Sequence, residues 1–484
     1  MRDAVRRLVL GGLVGKLLGL LREVLLAAAY GTGVPTTATR VAQTGTLVPV
    51  DLFTADVLTA GFLPLHKELL TTDPARAATL FRGVRVALRW LAAVLTLGSL
   101  ALAPVVVDLL APGLAPATAA TCAQFLRVMA LGIPSYLQFS LLSYLEISHG
   151  GFRLSSARAT AQNLGMLLAL GLAWVLEEPV VLAGGFAAAY LVLHAWGYRS
   201  VRARGFLPAA GGGGGRELRS RLWRRVRPLL LLPVVLQGSV VAERVVASLM
   251  GDEVVAAVDY ARFVATTGVN LVAVPLGLAG LAALAGLGTA AARERLAAIL
   301  PGLLLVVAPV SVVLAVGSSP VVEVLYARGA FDAAAVSTSA SVLAGLGLGF
   351  WAQSCAYVLV KALNAADRNR VAAGSLLAGL VVTLVLNVAL HAWLGPVTLG
   401  LASSAGAVVT AAVAAHALGV GALLRRWVGA CVPVAGAAWL LCGRLPAASG
   451  WPGLLGVGGC VLVVFGLAAA LLPPWRRVVR SLVR

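Results

Sequence analysis

A chain of 484 residues in which 60% are hydrophobic and 12% are charged, with a mean hydropathy of +0.95, keeps too little polar surface for a water-soluble fold. Apolar runs of membrane-crossing length recur from end to end, so the expected fold is an all-α polytopic membrane protein forming one membrane domain. A net charge of +19 and a pI near 11.0 would suit a nucleic-acid binder if the charge were gathered on one face, but it is distributed in short clusters between the apolar runs.

The basic N-terminus resembles the start of a secretory signal. Its apolar run, however, continues to about Tyr30, carries Lys16, Arg22 and Glu23, and lacks a small-residue cleavage site, so it reads as a first transmembrane helix. A window of about 19 residues predicts fourteen spans, near 8–30, 44–65, 86–111, 122–147, 158–176, 179–198, 228–250, 254–286, 297–317, 335–361, 371–394, 397–424, 427–444 and 451–473. The second is the most polar, with Thr44, Thr46, Asp51, Thr54 and Asp56.

Arginine and lysine mark the cytoplasmic side of a polytopic protein. Arg2, Arg6 and Arg7 precede helix 1, Lys67 to Arg89 follow helix 2, Arg153 and Arg158 follow helix 4, and nine arginines from Arg199 to Arg227 follow helix 6. The pattern continues to the C-terminal tail and places thirty of the 38 basic residues on one side, opposite Glu177, Glu178, Asp252 and Glu253. Both termini are therefore expected in the cytoplasm, and the net charge is topological.

The loop after helix 6 contains the glycine run 211–215 followed by a basic stretch, a flexible linker composition. The expected organisation is an N-terminal lobe over 1–200, a Gly/Arg-rich cytoplasmic linker over 201–227, a C-terminal lobe over 228–424, and helices 13 and 14 with a basic tail over 425–484. Adjacent opposite charges at similar depth, Arg22–Glu23 in helix 1 and Glu243–Arg244 in helix 7, support two related halves.

Charges inside an apolar run carry the functional argument, because each costs roughly 2.5–3.5 kcal/mol at the bilayer centre. Helix 1 holds three, and they must face protein or water. Lys16 and Glu23 share a face about 10 Å apart along the axis, whereas Arg22 points about 100° away, so a Lys16–Glu23 pair with Arg22 turned to a cavity is expected. Two readings stand: a structural salt-bridge network between helices 1 and 7, or a cationic, water-filled cavity for an anionic substrate.

The stretch from Gly15 to Gly33, the segment from Leu325 to Leu390 with its RGAFD loop, and the segment from Glu243 to Arg262 together resemble the lipid II flippase family (MurJ/MviN) of the MOP exporter superfamily. The resemblance covers most of the chain and implies two six-helix lobes plus two C-terminal helices. It further implies outward movement of a polyprenyl-diphosphate-linked cell-wall precursor by alternating access, in the bacterial inner membrane. By the same resemblance Lys16 stands at a basic position of the family, Arg22 at its cavity arginine, and Glu23 in place of an aspartate. Arg262 is offset by one from a helix 8 arginine, and Arg244 matches a basic position of some members. Where the family has paired helix 2 arginines, this chain has Val50 and Asp51, so the substrate is either lipid II or a related lipid-linked glycan. Glu243, Thr383 and Asn387 are the candidates for an ion site that some members carry.

The expected partners are a lipid-linked anionic substrate and anionic membrane lipids, with no nucleic acid; the chain is expected to act as a monomer beside the cell-wall synthesis machinery. No cofactor and no metal are expected, since the five cysteines and five histidines are scattered without ligand spacing. An enzyme is not expected, because no nucleophile–base pair or Asp-rich metal motif occurs. The alternatives are another MOP-type exporter of polysaccharide or small molecules, and a non-transporting scaffold or inactive paralogue.

Overall fold

The computed structural model describes residues 2–208, 215–227, 231–284, 289–446 and 448–483. Most of the glycine run (211–214), the first residues of the seventh predicted span (228–230) and the last of the eighth (285–286) lie outside the described residues. No strand occurs among those described.

Helices α1 (Arg2–Tyr30) and α2 (Val34–Asp56) are followed by a π-helical turn (Val57–Phe62), α3 (Leu63–Thr72), α4 (Pro74–Leu110), α5 (Pro116–Ala130) and α6 (Ile133–Ser148). Then come α7 (Arg153–Leu176), α8 (Val181–Ala203), the linker helix α9 (Gly215–Val226), α10 (Leu231–Met250), α11 (Asp252–Leu284), α12 (Thr289–Val316) and α13 (Ser318–Tyr326). Last are α14 (Ala333–Leu348), α15 (Phe350–Ala365), α16 (Asn369–Leu394), α17 (Val397–Ala417), α18 (Gly421–Cys442), α19 (Gly450–Leu471) and α20 (Pro473–Val483). The fourteen predicted spans fall on these helices, although the second runs from α2 through the π-helical turn into α3, the twelfth runs from α17 into α18, and the fourth and tenth cover the pairs α5 with α6 and α14 with α15. Nine helices are individually long and apolar enough to cross a membrane, and two bent pairs, α5 with α6 and α14 with α15, raise that to 11 among the described residues.

Two compact units result, Met1–Asp252 and Glu253–Arg484. In the first, α1 packs on α7, α7 on α8, α2 on α5 and α10 on α2 and α4. In the second, α17 packs on α14, α15 and α16, and α12 on α14, α15 and α18. Helix α10, the seventh predicted span, is thus part of the first unit. Its C-terminal end is held there by Ser248, whose Oγ accepts from Gly113 N at 3.2 Å, and by Asp252, whose carboxylate accepts from Ala115 N at 3.1 Å.

Several hydroxyls of the polar helix α2 are satisfied locally. Thr39, Thr44, Thr46 and Thr54 of α2 each donate to the carbonyl four residues back, at 2.8–3.0 Å. Breaks have equally local causes. Pro104 removes the N–H that would serve Leu100, and the freed carbonyl accepts from Arg127 Nε of α5 at 3.3 Å. Between α14 and α15 the chain bends by 52° at Gly349, where an added Cβ would stand 2.4 Å from Ser404 of α17. Glycine there lets the corner seat on α17.

Candidate functional site

The first unit gathers charge around Glu23. Gly15 and Gly19, one turn apart on α1, face Ala159 and Asn163 of α7, with virtual Cβ contacts of 3.0 and 3.3 Å, so the two helices approach closely. That approach lets Asn163 Nδ2 donate to Gly15 O at 2.8 Å while its Oδ1 accepts from Arg22 at 2.9 Å. Arg22 also pairs with Glu23, its neighbour in sequence.

Glu23 has a second partner absent from the sequence expectation. Arg40 of α2 grips both carboxylate oxygens. The turn that returns α2 to α1 uses Gly31 at φ 53 and starts α2 with a proline in its first turn. The second predicted span starts near residue 44 and leaves Arg40 outside it, whereas α2 begins at Val34 and carries Arg40 inside it. Gly33 followed by Pro35 is a helix-start signal, and it was the available clue.

Side-chain exposure is 16% for Arg22, 8% for Arg40 and 2% for Glu23. One carboxylate is thus shared by two guanidiniums, leaving a net charge of +1 in an enclosed setting. Arg22 Nε is buried with no hydrogen-bond partner among the described residues. The expected Lys16–Glu23 pair is corrected by this arrangement: Lys16 is exposed, while Glu23 is sealed by Arg22 and Arg40. Periodicity put both on one face, but the cover supplied by α2 reaches Glu23 and leaves Lys16 open.

A second polar group sits beside the first. Tyr136 of α6 donates to Asp51 at 2.7 Å and accepts from Arg158 of α7 at 3.1 Å, and its ring stacks on Tyr190 at 4.4 Å. Tyr190 lies within electrostatic reach of Arg158, Asp51 and Arg22, which joins the two groups. Arg158, expected at the start of the fifth span, lies in the second turn of α7 and is exposed. Glu146 fixes the start of that helix, since its buried carboxylate accepts from Leu154 N at 2.7 Å and pairs with Arg204. Val50 is fully buried, so Asp51 is the residue of that pair which takes part in the polar cluster. Taken together, Arg22, Arg40 and Arg158 face Glu23 and Asp51, three cations against two anions.

The remaining predicted residues are placed as follows. Arg244 is buried on α10, within electrostatic reach of Cys122 of α5, and Glu243 beside it is half-buried. In the second unit, Arg262 of α11 donates to Ser403 of α17 at 2.7 Å. Thr383 of α16 donates to Gly379 O at 3.0 Å and Ala402 O at 3.2 Å, which holds α16 to α17. Asn387, one turn further on, is 2% exposed, and its Oδ1 has no hydrogen-bond partner among the described residues. No group of His, Cys, Asp and Glu able to hold a metal occurs among the described residues.

Residues 26–444 match the family described as lipid II flippase MurJ. A probable lipid II flippase MurJ from Synechocystis sp. is 30% identical over 391 residues, covering 73% of this chain and 69% of that protein. A solved lipid II flippase MurJ in an inward closed conformation superposes with a TM-score of 0.84 at 15% identity, covering 99% of each chain. An inward-facing multidrug resistance MATE transporter of the MOP superfamily superposes with a TM-score of 0.66 at 13% identity, covering 89% of this chain and 99% of that one.

Proposed function

The chain belongs to the lipid II flippase MurJ family and is a polytopic membrane transporter, not an enzyme; from that premise we propose that the Arg22–Glu23–Arg40 cluster receives the diphosphate of lipid II as it leaves the headgroup layer. The supporting observation is the unbalanced charge: one carboxylate held by two guanidiniums, with Arg22 Nε unused. An anion answers both, because charge-assisted hydrogen bonds to guanidinium are strong and oxyanions accept in the geometry that arginine offers. Arg158 adds a cation one helix away, in a position to follow a substrate whose phosphates and sugars extend beyond one site. The MATE fold is shared, but this cluster favours an anionic lipid over a cationic drug.

Reconstituted vesicles given fluorescent lipid II, an uncharged polyprenyl glycan and a lipophilic cation test this reading. Lipid II should move at least about tenfold faster than either of the others, the worth of one charge-assisted contact. Equal rates for all three would refute it.

Orientation forms part of the proposal, with both termini and α9 in the cytoplasm, as the arginine distribution supports. Cysteines introduced at Arg216 and Glu178, both exposed, report it. In intact cells an impermeant maleimide should label Glu178→Cys and spare Arg216→Cys; the opposite pattern inverts the topology.

The driving force follows from the sign of the cargo. Outward movement of a lipid diphosphate carries negative charge away from a negative interior, which the membrane potential favours by about 2.3 kcal/mol per charge per 100 mV. Export is electrically downhill, and the same field draws the uncompensated positive cluster back towards the cytoplasm. Transport should therefore rise with a clamped inside-negative potassium-diffusion potential and proceed without sodium. A sodium requirement with no response to potential would overturn this coupling and bring Glu243, Thr383 and Asn387 forward as an ion site.

A further inference from the structure

The linker helix α9 is amphipathic: Leu218, Leu222 and Val226 recur every four residues, while Arg216, Arg219, Arg221, Arg224 and Arg225 outnumber Glu217. It is docked on the membrane helices of the first unit by ion pairs of Arg221 and Arg225 with Glu68, at 2.7 and 3.3 Å, and of Arg76 with Glu217 at 2.8 Å. Val226 and Leu222 press on Gly61 of the π-helical turn, where an added Cβ would stand 2.4 Å from Val226.

Beside this contact runs a groove enclosing about 590 Å³, walled by Phe53, Leu80, Val84, Leu222 and Trp223. Two cations also line it, Arg82 from α4 and Arg219 from α9. Glu68 of α3 and Glu217 of α9 are taken by Arg221, Arg225 and Arg76. Arg82 and Arg219 have no carboxylate partner among the described residues. An apolar trough with two guanidiniums outside these ion pairs is complementary to a molecule with a hydrocarbon chain and one anionic phosphate, and a basic amphipathic helix is drawn to anionic headgroups.

We propose that this groove is a binding site for one anionic glycerophospholipid, its phosphate on Arg82 and Arg219 and an acyl chain along Leu80, Val84 and Leu222. The site is separate from the Arg22–Glu23–Arg40 cluster and does not depend on the transport reading. Its occupant completes the contact between α9 and the π-helical turn, so the linker is anchored by a lipid as well as by ion pairs.

Native mass spectrometry of the purified full chain, titrated with phosphatidylglycerol or phosphatidylcholine of the same acyl chains, tests the site. Wild type should retain one phosphatidylglycerol at least about tenfold more tightly than phosphatidylcholine, as expected for paired charge-assisted contacts. The double variant Arg82→Gln/Arg219→Gln should lose that preference. Among the described residues, nothing beyond the adjoining backbone of α4 lies within 4 Å of where a Cβ at Gly83 would stand, so Gly83→Leu projects into open space and should fill the groove without disturbing the fold, lowering retention of both lipids. Arg224→Gln, exposed and outside the groove, should bind as wild type does. Equal retention of the two lipids by wild type, undiminished phosphatidylglycerol binding in the double variant or in Gly83→Leu, or one-for-one displacement of phosphatidylglycerol by lipid II would each overturn the proposal.

Discussion

Arg22→Ala is expected to abolish lipid II transport while leaving a folded, inserted protein. The reason lies in how Glu23 is held. Arg40 grips both of its oxygens, so removing Arg22 leaves the buried carboxylate neutralised, and Asn163 keeps its bond to Gly15 O. What disappears is the excess charge: the cluster falls from +1 to neutral and loses Nε, the donor with no partner among the described residues. A substrate diphosphate entering a low-dielectric site then lacks the contacts that replace its hydration, a loss of about 1.5–3 kcal/mol per charge-assisted bond, or roughly 10- to 100-fold in binding. Complementation of a flippase-depleted strain, read beside surface expression and thermal unfolding, checks this. Wild-type growth for Arg22→Ala at equal expression would remove the residue from the transport site. Loss of growth with a collapsed melting temperature would make its role structural.

Glu23→Ala should act in the opposite way, through stability. Removing the shared carboxylate leaves two guanidiniums, 16% and 8% exposed, adjacent to each other and without their counter-ion. Breaking a buried pair on one side costs about 3–5 kcal/mol, because the stranded charge is neither hydrated nor neutralised. At roughly 2–4 °C per kcal/mol for a unit of this size, the melting temperature in detergent should drop by roughly 6–20 °C. The double variant Glu23→Ala/Arg40→Met removes one stranded charge with it and should recover most of the loss. A dye that reacts with newly exposed thiols reads the transition, since Cys122, Cys355, Cys431 and Cys442 are buried in the fold. A Glu23→Ala protein that melts with wild type would show that water or lipid already compensates the arginines, and the carboxylate would lose its structural role.

Much of the protein was legible from its residues. Hydropathy located the long apolar helices because the bilayer sets helix length and requires each backbone group to be bonded within its own segment, a constraint that acts locally and therefore leaves a local trace. Arg22 and Glu23 stood out for the same reason, as charges in an apolar run whose insertion cost calls for a partner.

Tertiary structure decided which partner. Helical periodicity places Lys16 and Glu23 on one face, but the close approach of α1 to α7 at Gly15 and Gly19, and the return of α2 through Gly31, give Glu23 to Arg22 and Arg40 and leave Lys16 exposed. Arg158, Tyr136 and Asp51 lie on three different helices, and hydrogen bonds made across packed helices follow no period. Composition likewise marked 216–227 as a basic linker stretch. Its folding as an amphipathic helix on Glu68 and Gly61 depends on residues more than a hundred positions away, so chain-local patterns fixed where the helices are, and only their packing decided which charges meet.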